Sequence, residues 1–187
     1  MEEEVKKAVD VLRKGGIILY PTDTIWGLGC DATRDDAVKK ILRIKQSADE
    51  KSMLVLLDDK NKLTKFIAEV PDIAWNILEV NDKPLTIIYP NAQNLADSLI
   101  AEDLSVGIRI TKDDFCCRLI RGLGKPIVST SANISGKPWP ANFHEIEELI
   151  VNSADYVVNY RQHDTFRGKP SGIIKLGIGG EVKVIRE

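Results

Sequence analysis

The chain has 187 residues, of which 43% are apolar and 29% charged, with a formal net charge of −2. That balance is the composition of a globular chain of one ordinary domain and argues against a disordered or membrane protein. A charge so near zero supplies no global attraction to phosphate backbones, although 26 basic residues are enough for a local basic patch.

The N-terminal stretch MEEEVKKAVDVLRKGG is acidic and then amphipathic, with Val5, Ala8, Val9 and Leu12 on one helical stripe. It reads as a helix, not as a signal or transit peptide, and no apolar run approaches membrane-spanning length. The expected location is the cytoplasm, with no membrane partner. From Gly15 to Lys45 the pattern is a buried strand (Ile17–Tyr20), a polar loop (Thr22, Asp23, Thr24), two glycines (Gly27, Gly29) and a helix ending in Lys45. A loop between a buried strand and a helix is where α/β proteins usually hold ligands. Thr33 followed by Asp36 predicts a capping box for that helix, whose core stripe is Val38, Ile41 and Leu42. Lys45 lies one turn further along, either as a C-terminal charge favoured by the helix dipole or as a functional cation.

After the loop segment QSADEKS, Met53–Leu57 reads as a fully buried strand, and two helical stretches (61–69 and 72–80) are separated by Pro71. Leu85–Tyr89 is a strand, NAQNLADSLIAED a short helix with its flanks, and Ser105–Ile110 a strand carrying Arg109 among apolar neighbours. A buried arginine needs a partner, so Arg109 pairs with a protein carboxylate or with an anionic ligand. Thr111 and Asp114 cap the next helix, in which Cys116 and Cys117 pack, and Gly122 and Gly124 end it.

Pro126–Val128 is a strand that runs into Ser129, Thr130, Ser131, Asn133 and Ser135, closed by Gly136. So many short donors and acceptors at a strand end must bond to one another or to a polar ligand. Asn142 and Glu145 cap a further helix, Tyr156–Tyr160 is a strand, and RQHDTFRGKPSG is a loop of the kind that closes over a site. Ile173–Leu176 and Val182–Ile185 finish the chain as strands around the GIGGE turn. Strands and helices interleave, with hairpin-like pairing at the end. The expected fold class is α/β (α+β): one domain over residues 1–187, a mixed sheet with helices packed on it.

Three cysteines, two of them adjacent, argue against a disulfide framework, and the two histidines stand at no ligand spacing from them. Gly27-Leu-Gly29-Cys-Asp-Ala32 fits GxGxxA, but six residues separate it from the strand end, which a dinucleotide-binding turn does not allow. Gly124-Lys125 and Gly136-Lys137 are each followed by proline, so no P-loop is present, and there is no GxSxG elbow for a nucleophilic serine. What remains is a Pro-Thr loop, a lysine after a helix, an arginine on a strand and a Ser-Thr-Ser-Ala-Asn loop. Cations that meet phosphates, with hydroxyls and amides that orient them, suit a nucleotide and a second small polar substrate.

Taken together, GGIILYPTDTIWGLGCDA, the lysine of IKQS, KPLTIIYP, SVGIRIT, GKPIVSTSANISG and PSGIIKL resemble the YrdC family of threonylcarbamoyl-AMP synthases, from about Gly15 to Arg186. The resemblance implies a single domain built on a twisted mixed sheet with a large concave cleft. It also implies an enzyme that joins L-threonine, bicarbonate and ATP into threonylcarbamoyl-adenylate with release of pyrophosphate, a nucleotidyltransferase whose Mg²⁺ is carried by the ATP phosphates. Downstream partner proteins then pass the threonylcarbamoyl group to tRNA. Residue by residue, the resemblance makes Thr22 and Arg109 threonine contacts, with Ser129 and Ser171 as substrate-side hydroxyls. Lys45 becomes a phosphate ligand, Ser131 and Asn133 line the nucleotide site, and Ser105 and Arg186 contact the nucleotide. Lys45, Arg109, Ser131 and Asn133 form the expected catalytic set. The family pattern usually has arginine at the position of Ser47, which makes Lys51 the candidate to replace that charge, and small hydroxyl residues where this chain has Trp139 and Gly172. Competing expectations are a tRNA- or double-stranded-RNA-binding module of the same fold and a related carbamoyl transfer, separated from the synthase by salt dependence and by a requirement for threonine.

Overall fold

The apolar stripe Val5, Ala8, Val9 and Leu12 is the buried face of α1 (Glu2–Arg13). The chain then builds a mixed sheet, seen in a computed structural model that describes residues 1–46, 53–165 and 167–187. Its strands are β1 (Ile18–Tyr20), β2 (Gly27–Gly29), β3 (Leu54–Leu57), β4 (Leu85–Tyr89), β5 (Val106–Ile110), β6 (Ile127–Ser131), β7 (Tyr156–Val157), β8 (Gly172–Leu176) and β9 (Val182–Arg186). Among the described residues they form one sheet in the order β7-β1-β2-β6-β3-β5-β4-β8-β9. The pairs β1/β7, β3/β5 and β4/β8 are parallel and the rest antiparallel.

Successive strand residues face opposite sides of a sheet, and the two cores follow that alternation. On one side Leu19, Leu28, Val55, Leu57, Ile108 and Val128 pack with α2 (Asp35–Ile44), α3 (Asp72–Val80) and α5 (Glu148–Ser153). On the other, Ile18, Tyr20, Leu56 and Ile127 pack with α1 and α4 (Asp114–Leu123). Helices α1 and α4 cover only part of this second face. The uncovered remainder, carrying Leu54, Arg109, Ser129 and Ser131, is a cleft of about 110 Å³.

The expected fold class is the one observed, and several local readings are corrected. Gly27–Gly29 is not loop but β2, with Ile18 opposite Gly29 and Tyr20 opposite Gly27. Its glycines have a packing reason: a Cβ at Gly29 would stand 2.6 Å from both the Tyr20 ring and the Val128 carbonyl. Ser129, Thr130 and Ser131 belong to β6 rather than to a loop beyond it. The capping box at Thr33 does not form, because Asp31 Oδ1 takes both the Thr33 amide (2.8 Å) and its hydroxyl (2.6 Å). Asp113, not Asp114, caps α4 by accepting from the Cys116 amide, and Gly122 lies inside that helix while Gly124 ends it at φ +74°. The segments expected as helical, 61–69 and the stretch NAQNLADSLIAED, contain single 3₁₀ stretches, Lys60–Lys65 and Asp97–Leu99. Asn142 does cap, accepting from the His144 amide, but over the 3₁₀ turn Phe143–Glu145. The strand expected over Tyr156–Tyr160 pairs only at Tyr156 and Val157. No helix among the described residues is long and apolar enough to cross a membrane.

Candidate active site

The loop between β1 and β2 is knotted by its own hydroxyls. Thr22 Oγ1 donates to the Ile25 carbonyl at 2.7 Å, accepts from the Thr24 amide at 3.0 Å and lies 3.0 Å from Thr24 Oγ1. This closed set fixes Thr24, whose hydroxyl accepts from Arg109 Nη1 at 2.9 Å.

Arg109 comes from the middle of the sheet and is 2% exposed, with Asp23 Oδ1 3.2 Å from Nη2. That approach makes no hydrogen bond, and Arg109 Nε and Asp23 Oδ1 are both buried with no hydrogen-bond partner among the described residues. Leaving a buried polar atom unsatisfied costs roughly 1–3 kcal/mol, more when it is charged. The edge of a guanidinium that takes a carboxylate side-on is Nε with Nη2, and here Nε is unpartnered while Nη2 has only the approach of Asp23. Of the two expectations for Arg109, a protein carboxylate does stand near, and Nε is left without a partner.

The far wall holds hydroxyls. Ser129 and Ser131 enter from β6, and Gly27 beside them is closely packed, since a Cβ there would stand 3.1 Å from Ser129 Oγ and 3.2 Å from the Thr130 carbonyl. Ser171 Oγ lies 2.8 Å from Thr86 Oγ1, and the Ser171 carbonyl accepts from Arg186 Nε and Nη2 at 2.9 and 2.7 Å. Burial, and then the charge of Arg109, lower the Arg186 pKa. Two guanidinium groups therefore face one cleft, and no carboxylate lines it among the described residues.

Lys45, at the C-cap of α2, is also buried. Its Nζ donates to the carbonyls of Ser131 and Asn133, both at 2.8 Å, and lies 3.4 Å from Asn133 Oδ1. Burial pulls its pKa down to about 8. The Lys45 carbonyl in turn accepts from the Ser135 amide at 3.0 Å, so one residue fastens the end of β6 to α2.

The structure thus brings Arg109, Ser129, Ser131, Ser171 and Arg186 together, with Lys45 directly behind Ser131. Asn133 spends its amide on the turn, donating to Ile134 O at 3.2 Å and Lys137 O at 2.6 Å. Thr22 does not line this cleft but an adjoining recess with Asn142 and Arg161. Ser105 does not line it either: its hydroxyl donates to Asp103 Oδ1, and it precedes Arg109 by four residues, about 13 Å of extended strand. Ser47 and Lys51 lie outside the described residues. Sequence reasoning missed Thr24 as the side chain that meets Arg109 and Trp26 as part of the wall. Their signal was position, two and four residues past Thr22 in a hydroxyl-rich loop. All three cysteines are free and buried, and burial pushes the Cys30 and Cys116 thiols up, away from nucleophilic use. No group of three or more His, Cys, Asp or Glu among the described residues is arranged to hold a metal.

Comparisons with known proteins give the same direction. The sequence model of the Sua5/YciO/YrdC family, described as "Telomere recombination", matches residues 10–187. A "putative threonylcarbamoyl-AMP synthase" of Methanocaldococcus jannaschii is 36% identical over 181 residues, 94% of this chain and 83% of that protein. A threonylcarbamoyl-AMP synthase of Cellvibrio japonicus is 32% identical over 158 residues, 84% of each chain. Among solved structures, a doubly substituted P. abyssi Sua5 superposes with TM-score 0.85 at 26% identity, covering 94% of this chain and 51% of that one. The same protein has been crystallised with L-threonine, and in that form the likeness is TM-score 0.82 at 24% identity, over 94% of this chain and 52% of that one. The chain thus spans about half the length of P. abyssi Sua5.

Proposed function

The chain belongs to the Sua5/YciO/YrdC family, and from that premise we propose that it makes L-threonylcarbamoyl-adenylate from L-threonine, bicarbonate and ATP, with release of pyrophosphate and water. The observation that carries the proposal is Arg109: a buried guanidinium on the wall of the cleft, with one arm hydrogen-bonded to Thr24 and Nε left without a partner. An amino-acid carboxylate satisfies that nitrogen, with Ser129 and Ser171 within the same cleft for the rest of the amino acid. Thr22 acts in this reading through Thr24, by holding the loop that meets Arg109.

The threonine amine takes up carbon dioxide from bicarbonate, and a carbamate oxygen attacks the α-phosphorus of ATP. The bond from that phosphorus to the bridging oxygen breaks, and pyrophosphate leaves with the electron pair. Negative charge is present on every reacting group, so the protein's contribution is position and positive potential. Arg186 and the Lys45 charge behind Ser131 supply the potential, Ser131 a hydroxyl, and Asn133 the shape of the turn. Mg²⁺ enters as the companion of the ATP phosphates, since no carboxylate lines the cleft among the described residues. Lys51 is the further cation we assign to the phosphates. The enzyme class is that of a nucleotidyltransferase, and the product is a mixed anhydride suited to acyl transfer onto a tRNA adenosine by partner proteins in the cytoplasm. Mass spectrometry of a mixture of protein, ATP, Mg²⁺, bicarbonate and threonine tests the reading by the presence of threonylcarbamoyl-adenylate.

A further inference from the structure

One surface of the cleft has no part in the chemistry above. Trp139 lines the cleft and is 49% exposed, and neither a hydrogen bond nor a ring contact engages its indole among the described residues. The nearby Trp26 is different: it is 6% exposed and packs its ring on Phe143 at 4.8 Å. Trp139 stands between Pro138 and Pro140, whose rings restrict the backbone that carries the indole. The same cleft holds Arg186, anchored by two hydrogen bonds to the Ser171 carbonyl. An exposed indole on the wall of a cationic cleft has the two features that bind nucleotides, a stacking face and a positive potential.

We propose that Trp139 is the platform on which the base of the nucleotide substrate stacks. The inference rests on the ATP-dependent reading above and adds to it the residue that holds the base. Stacking is tolerant of base identity because every base has a π-face, so Trp139 contributes affinity for nucleosides over bare polyphosphates rather than discrimination among purines.

The test is intrinsic fluorescence and calorimetry on the full chain, with ATP, AMP and inorganic tripolyphosphate as probes. The chain has three tryptophans, Trp26, Trp75 and Trp139, so Trp139→Phe isolates the signal. The proposal expects ATP and AMP to quench emission in the parent and not in Trp139→Phe, while tripolyphosphate quenches in neither. Trp139→Ala should weaken ATP by roughly tenfold and leave tripolyphosphate unchanged, with Trp139→Phe within a few-fold of the parent. Unchanged ATP affinity in Trp139→Ala, or equal loss of ATP and tripolyphosphate, overturns the platform while leaving the synthase reading standing. A parent protein that binds no ATP overturns both.

Discussion

Arg109 Nη1 donates to Thr24 Oγ1 across 2.9 Å, and that single bond ties the centre of the sheet to the loop between β1 and β2. Its consequence is that the orientation of the guanidinium depends on a threonine 85 residues earlier in the chain. Thr24→Val keeps the shape and removes the hydroxyl. The expected result is a roughly fivefold to tenfold loss of kcat/KM for threonine and about 1 kcal/mol of stability, the worth of one hydrogen bond. Steady-state kinetics with threonine varied, alongside urea unfolding, measures both.

Arg109→Lys keeps the charge and loses the fork. A lysine offers a point charge on a flexible stem, so the two-bond grip on a carboxylate is gone. The expected effect is a rise of at least tenfold in the KM for threonine, from the loss of a charge-assisted bond worth roughly 1.5–3 kcal/mol, with ATP affinity changed far less. An equal effect on both substrates would contradict the assignment of Arg109 to threonine.

Lys45 gives a pH dependence with a definite sign. Burial lowers its pKa to about 8 from an ordinary 10.5, so the ammonium charge beside Ser131 is present below pH 8 and lost above it. The neutral amine still has two N–H groups for the two carbonyls at 2.8 Å, so the turn survives and only the charge goes. ATP binding is therefore expected to weaken several-fold between pH 7 and pH 9, while Lys45→Arg flattens the profile; calorimetry across that range checks it. The sign on folding is opposite. The unfolded chain binds more protons than the folded one between about pH 8 and 10.5, so this group's contribution to stability rises with pH in that window.

Gly168 predicts a coupling between the late loop and the site. A Cβ there would stand 1.7 Å from the Thr24 carbonyl oxygen, which no side chain can occupy. Gly168→Ala must push the loop off the Thr22–Thr24 knot, and the expected result is a larger fall in activity than in stability. Gly124→Ala is the control: its φ of +74° strains alanine, but nothing lies within 4 Å, so stability falls by roughly 1 kcal/mol and kcat/KM holds.

Much of this was legible in the sequence because the relevant forces are local. Periodic apolar residues give α1, and the β-branched run gives β4 with the same bounds, Leu85–Tyr89, in sequence and structure. The constellation of Arg109, Ser129, Ser131, Ser171 and Arg186 follows from the family resemblance, and the sheet order gathers them into one cleft. What was not legible depends on contacts between distant segments. Nothing in Gly-Leu-Gly carries strand propensity. It is a strand because Tyr20 and Val128 press on Gly29 and the ladder to β6 demands small residues. The capping box at Thr33 failed to competition from Asp31, which Lys125, 94 residues away, holds at 2.9 Å. Thr24 was passed over for Thr22 because only the fold shows which hydroxyl reaches Arg109 and which reaches the loop's own backbone.

The most direct test of the whole account is pyrophosphate release from ATP by the purified protein, with threonine and bicarbonate omitted in turn. The account requires release that depends on both, because each contributes atoms to the nucleophile that attacks the α-phosphorus. Release that continues without threonine would contradict it. So would no release at all from a protein that binds ATP and threonine saturably; salt-sensitive retention of tRNA by that protein would then mark the cleft as an RNA surface.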